Sequence, residues 1–136
     1  MSDIDDIEQI RERKREELKE KLSESAEETT VPDAPIQITG TDDLRNLINE
    51  YSVVLLDFYA DWCGPCKMME PTIESIASDT EVVVGKIDID TNQSLATQYN
   101  VRGVPTLLLW HEGEVVEQMT GVQDQETLET LISRYT

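Results

Sequence analysis

The sequence predicts an α/β domain, a mixed central sheet with helices on both faces, over residues 36–136, preceded by a charged helical extension and flexible linker over 1–35. Three observations predict it. Val53–Tyr59 is apolar at both alternating sets of positions, as a strand covered on both sides by helices must be. Strand-like and helix-like stretches alternate through Gln98 and then give way to a hairpin signal around Gly113. At 136 residues the chain has the length of one domain plus a tail, enough to bury a core without staples.

Taken in order, residues 3–22 read as a helix, because Ile4, Ile7, Ile10, Lys14, Leu18 and Leu22 follow a three-to-four spacing and Ser2 or Asp3 stands at its start. Its apolar stripe is thin. The pairs Glu12–Arg15, Glu16–Lys19 and Glu17–Lys21 each add only about 0.2 to 0.5 kcal/mol. Residues 23–35 have the composition of a flexible linker. A short strand follows at Ile36–Ile38. Thr41 is then placed to cap a helix whose first turn carries Asp42 and Asp43 and whose inner face is Leu44, Leu47 and Ile48. Tyr51–Tyr59 forms the central strand. The next helix starts at Cys63, turns Met68, Met69, Ile73, Ile76 and Ala77 inward, and carries Pro71 inside it, where a kink is expected.

Glu81–Asp88 is the next strand, Asn92 caps a helix through Gln98, and a strand opening at Val104-Pro105-Thr106 runs through Trp110. Gly113 marks the hairpin turn and Gly121 ends the second strand. Leu128, Leu131, Ile132 and Tyr135 line the last helix. Trp110 and His111 read as core or turn residues rather than site residues.

The charge balance excludes whole classes of partner. With 29 acids against 11 bases the net charge is −18 and the pI about 4.1, the wrong sign for binding nucleic acid. No apolar run approaches the ~18 residues of a membrane span. The N-terminus is acidic where a secretory signal would be basic and then apolar, so the expectation is a cytoplasmic protein. Residues 1–35 hold 12 acids and 6 bases, which leaves 29 − 12 = 17 acids and 11 − 6 = 5 bases for residues 36–136. The folded part itself carries the excess. A salt-loving source explains such a surface, because it self-repels in dilute buffer and is screened in molar salt; an acidic surface that steers partners is the alternative.

Chemistry concentrates in Trp62-Cys63-Gly64-Pro65-Cys66-Lys67, which holds the only two cysteines of the chain. If a helix starts at Cys63, Cys66 falls on the same face with side-chain bases about 5 to 6 Å apart. A disulfide needs roughly 4.4 to 6.8 Å between Cα atoms, so dithiol and disulfide are both reachable without moving the fold. Pro65 suits the first helical turn, where its missing N–H costs nothing, and Gly64 leaves room for a partner's backbone. The helix N-terminus turns N–H groups and positive dipole toward the first sulfur, which favours the nucleophilic thiolate. Cys63 is therefore the expected nucleophile and the more exposed sulfur, and Cys66 the resolving one. A zinc site needs a second cysteine pair or histidines at ligand spacing, and the chain has only His111, far away in sequence. A structural staple closed over two residues would stabilise little, because the effect grows with loop length. Asp57, inside an apolar strand, is desolvated, so its pKa should rise and make it a plausible base; its plain alternative is a strand-end hydrogen bond.

The run from Val54 to Lys67, continued in Lys86-Ile87-Asp88-Ile89-Asp90, in Val101–Leu109 and to Gly121, closely resembles the thioredoxin family over roughly residues 36–136. The resemblance implies the thioredoxin fold and a thiol-disulfide oxidoreductase that reduces protein disulfides through a redox-active Cys63–Cys66 disulfide, with no bound cofactor or metal. It implies that Asp57, six residues before Cys63, lies under the pair and helps deprotonate Cys66, and that Lys86 lies near Asp57. It also implies a cis bond before Pro105 and a substrate-binding rim of Trp62, Gly64, Pro65, Gly103, Val104 and Pro105. The expected protein is a monomer acting on disulfide-containing proteins, without nucleic acid or membrane. No dinucleotide-binding glycine motif occurs, so a separate thioredoxin reductase is expected to restore the dithiol. A disulfide isomerase or oxidant, or a binding and adaptor module using the N-terminal helix, is the alternative. Tyr59, where many members have tryptophan, and Asp61, at a variable position, depart from the pattern without removing a catalytic group.

The charge arithmetic makes a prediction. Screening shortens the Debye length from about 30 Å at ~0.01 M salt to about 3 Å at ~1 M, so the melting temperature should rise strongly across a potassium chloride series, beyond the rise given by a neutral osmolyte. A flat melting temperature from about 0.05 to about 2 M would contradict self-repulsion among these carboxylates.

Overall fold

The computed structural model describes residues 31–136, so the helix read over 3–22 and most of the linker lie outside the described residues. Pro32–Thr136 form a compact unit. Its elements run β1 (Ile36–Gln37), α1 (Gly40–Glu50), β2 (Val53–Tyr59), α2 (Gly64–Asp79), β3 (Val83–Asp88), α3 (Gln93–Gln98), β4 (Thr106–His111), β5 (Glu114–Thr120) and α4 (Gln125–Ser133). The five strands form one sheet in the order β1-β3-β2-β4-β5. β2 lies in the middle, parallel to β3 and antiparallel to β4, and its first six residues are buried.

Alternation along β2 assigns its side chains to two layers. Val53 and Leu55 join Met69, Ile73, Ile76 and Ala77 of α2, Leu107 and Leu109 of β4, and Leu128 and Ile132 of α4 in one core. Asp57 is next in that alternating set, on the α2 side of the sheet. On the opposite face, a Cβ at Gly85 would stand 2.9 Å from Leu56 Cδ2, 3.0 Å from Ile38 Cγ1 and 3.1 Å from Leu47 Cδ2. Glycine there lets α1 pack close against the sheet, and any side chain would force those three apart. Tyr99, just after α3, completes that layer, its ring 6.4 Å from Phe58 and edge-on to Trp110 at 5.3 Å. In the hairpin, Glu112 and Gly113 both take positive φ, 54° and 82°, as a two-residue type I′ turn requires.

Several expectations shift. α1 begins at Gly40 rather than after Thr41, with Thr39 as N-cap, because Asp43 Oδ2 reaches back to accept the Thr39 N–H at 2.9 Å and Asn92 Oδ1 accepts the Gly40 N–H at 2.9 Å. Asn92 is the N-cap residue of α3 by position, but its side chain joins the end of β3 to the start of α1 and makes no cap bond to α3. β2 starts at Val53 because the Tyr51 N–H closes α1 on Leu47 O at 3.2 Å. β3 starts at Val83, since Thr80 and Val82 close the turn after α2. Met68 is 70% exposed, not core. At about 100° per residue, the stripe Cys66, Met69, Ile73, Ile76 and Ala77 leaves Met68 well over 100° from its centre. Pro71 sits inside α2 without ending it.

Candidate active site

Four residues separate the end of β2 from the start of α2; Cys63 is the last of them, and Cys66 lies in the first turn of α2. Cys63 is the N-cap residue of α2 in extended backbone; its N–H donates to Ala60 O at 3.2 Å, and its carbonyl accepts from Lys67 N–H at 3.2 Å. Cys63 Sγ accepts the Cys66 N–H at 3.1 Å, taking the place that a capping hydroxyl or carboxylate oxygen takes elsewhere. Pro65 lies in the first turn. Cys63 and Cys66 are disulfide-bonded with Cα atoms 5.3 Å apart, within the range read from their spacing.

The two sulfurs are packed with Ala60 and with the half-buried Tyr59, Ile89 and Val104. Whole-residue exposure does not rank the two cysteines in this disulfide state: Cys63 is 4% and Cys66 5% exposed. What separates them is their place on the helix, one as cap and the other one turn in.

Of the predicted rim residues, Val104 is placed against the cysteines. Val104 O lies 3.7 Å from Cys63 Sγ, the Val104–Pro105 bond is cis, and Pro105 O accepts the Gly121 N–H at 2.8 Å. Thr106 Oγ1 donates to Gly103 O at 2.7 Å, fixing the loop before β4. Gly64 and Gly103 are exposed, and a Cβ on either would meet nothing within 4 Å. Trp62 is 68% exposed, with its indole Nε1–H donating to Asp90 Oδ2 at 3.0 Å. His111 lies opposite Val53, at the other end of β2 from the cysteines, and Trp110 is buried on the Tyr99 side.

Asp57 is 3% exposed, and its Oδ1 has no hydrogen-bond partner. Burial pushes its carboxyl up to about 6; the Lys86 ammonium opposes that shift and the Glu70 carboxylate adds to it. Lys86 is the register partner of Asp57 on β3, but its Nζ lies 3.9 Å from Glu70 Oε2 and 4.4 Å from the centre of the Tyr59 ring. Glu70 and Asp90 received no role from the sequence. For Glu70 a signal existed, since it stands four residues after Cys66 and so one turn further on the same helix face. For Asp90, in the turn after β3, there was none. Among the described residues no group of three His, Cys, Asp or Glu side chains is placed to hold a metal ion.

Comparison with known proteins agrees with this geometry. A family profile described as Thioredoxin matches residues 35–134. Thioredoxins from Chlamydia trachomatis and Bacillus subtilis are each 39% identical, over 101 and 100 residues, which are 74% and 72% of this chain and 98% and 96% of theirs. A solved structure of a single-site variant of thioredoxin from Halobacterium salinarum superposes with a TM-score of 0.76 at 51% identity, covering 77% of this chain and 93% of that one.

The buried carboxyl makes a prediction about stability. Its folded-state pKa is raised from 3.8 to about 6, so the proton it binds favours the native state below about pH 4, and that contribution is lost as pH rises through about 6. Asp57→Asn cannot ionise. Urea melts should therefore show the variant gaining roughly 2 kcal/mol on the parent between about pH 4 and about pH 7.5. A gap that does not change with pH would mean that Asp57 titrates alike in folded and unfolded chains.

Proposed function

The chain belongs to the thioredoxin family and is a thiol-disulfide oxidoreductase that reduces protein disulfides, and from that premise we propose how its residues divide the work. The observation that carries the division is the Cys66 N–H aimed at Cys63 Sγ from 3.1 Å at the start of α2. With the disulfide opened, that N–H and the helix dipole stabilise negative charge on Cys63 more than on Cys66.

Cys63 thiolate attacks one sulfur of a substrate disulfide; a Cys63–substrate disulfide forms, and the other substrate sulfur leaves as a thiolate that takes a proton from solvent. Asp57, mostly ionised at neutral pH, accepts the proton of Cys66. The Cys66 sulfur then attacks Cys63 Sγ, the Cys63–substrate bond breaks, and the second substrate sulfur departs as a thiolate that takes a proton from solvent, while Asp57 releases its proton to solvent. Two electrons have passed to the substrate and the Cys63–Cys66 disulfide has formed. Lys86 tunes Asp57 from the neighbouring strand.

Trp62, Gly64, Pro65, Gly103, Val104 and Pro105 form the substrate-binding rim. Its two open glycines leave space for an extended peptide backbone beside the disulfide, and the exposed face of Trp62 supplies apolar contact. Electrons come from a thioredoxin reductase, a separate protein. Residues 36–136 act as a monomeric domain in a reducing, cytoplasmic compartment, where a CxxC pair can cycle, and residues 1–35 form its extension.

The division is tested by single substitutions in a coupled assay on a protein disulfide. Cys63→Ser should reduce turnover to background. Cys66→Ser should allow one attack and then accumulate mixed disulfides, visible as a mass increase that a small thiol removes. Full multiple turnover by Cys66→Ser would remove its resolving role.

A further inference from the structure

Residues 36–136 contain only five cations, and one of them, Lys86, stands among acids on an uneven footing. As register partner of Asp57 on the adjacent parallel strand, Lys86 is the nearest cation the sheet offers to that buried carboxyl. Its ammonium nevertheless sits 3.9 Å from Glu70 Oε2 and 4.4 Å from the centre of the Tyr59 ring, where cation–π attraction adds to the hold. Among the described residues no ion pair joins Lys86 to Asp57, and Asp57 Oδ1 is buried without a partner. The cation is therefore held at the edge of the Asp57 site by a helix residue and a ring, not inside it.

We propose that Glu70 is a positioning residue for the Asp57 proton: it draws Lys86 to the outer edge of the site, adds its own negative charge, and so keeps Asp57 a stronger proton acceptor than Lys86 alone would leave it. For the reaction, the proposal rests on the reading of Asp57 as the base for Cys66. The charges facing this group come from each packed element. β3 supplies Lys86, α2 supplies Glu70 and, when reduced, Cys63 and Cys66; β2 supplies Tyr59, whose hydroxyl feels Asp61 and Asp88. β4 places only Leu107 opposite Asp57. The Glu70 side chain is 51% exposed and that of Lys86 19%, so salt screens the Glu70 effect more than it screens the burial of Asp57.

The test follows the Asp57 side-chain carboxyl through its titration by carbon NMR in the full-length oxidised protein. Glu70→Gln, which keeps shape and removes charge, should lower the midpoint by about half a pH unit or more, roughly a threefold loss of proton affinity. Glu70→Asp should restore most of it. In a Lys86→Met background the effect of Glu70→Gln should shrink to about half or less, since a positioning role acts through the cation. An unchanged midpoint in Glu70→Gln, or a shift of the same size with and without Lys86, would overturn the proposal. The pH dependence of mixed-disulfide resolution separates the two readings: a midpoint that moves while the rate profile stays fixed upholds Glu70 as the residue that tunes Asp57 and removes Asp57 as the base.

Discussion

The site depends on one junction, where a central strand ends and a helix begins with a sulfur as its cap. A helix start leaves N–H groups without intrahelical partners, and side-chain oxygens satisfy them in most proteins. Here Cys63 Sγ takes the Cys66 N–H. The same contact that completes the helix therefore marks one sulfur as the place where negative charge is stabilised. It is held by the burial of β2 on both faces: Val53 and Leu55 pack under α2 and α4, Leu56 under α1, and Phe58 against Tyr99. Shifting β2 by one residue would exchange its two faces and carry Asp57 away from α2.

Electrostatics sets the second constraint. Burying a carboxylate is costly unless a cation or donors compensate it, and among the described residues Asp57 Oδ1 has no hydrogen-bond partner and no cation forms an ion pair with the carboxyl group. The native state tolerates this because the group can bind a proton at little cost near neutral pH, its pKa being pushed up to about 6. That readiness to exchange a proton is also what a base beside a thiol needs. In a domain with 17 acids and five bases, how one lysine is shared between Glu70, Tyr59 and Asp57 decides how far the balance moves.

Much of this was legible in the sequence, for identifiable reasons. β2 was readable because an apolar run without alternation has few alternatives, and the hairpin because Gly113 supplies a left-handed turn position. The cysteines, Asp57 and the Val104–Pro105 segment were readable as a motif. The rest needed distances. Thr39 is the N-cap of α1 because Asp43 and Asn92 satisfy backbone groups that no local pattern advertises. Met68 sits beside Met69 in sequence but on the other side of the helix, so apolar character alone misplaced it. The near-equal burial of the two cysteine residues and the pull of Glu70 on Lys86 arise from three elements meeting, information that no single stretch contains.

The central claim is that its position at the helix start makes Cys63 the reactive sulfur. Limited alkylation tests it most directly: the reduced protein is treated at neutral pH with less iodoacetamide than it has thiols, and the label is located by peptide mass mapping. The account predicts label on Cys63 in roughly tenfold or greater excess over Cys66, because the thiolate is the reacting form. Equal labelling, or an excess on Cys66, would contradict it.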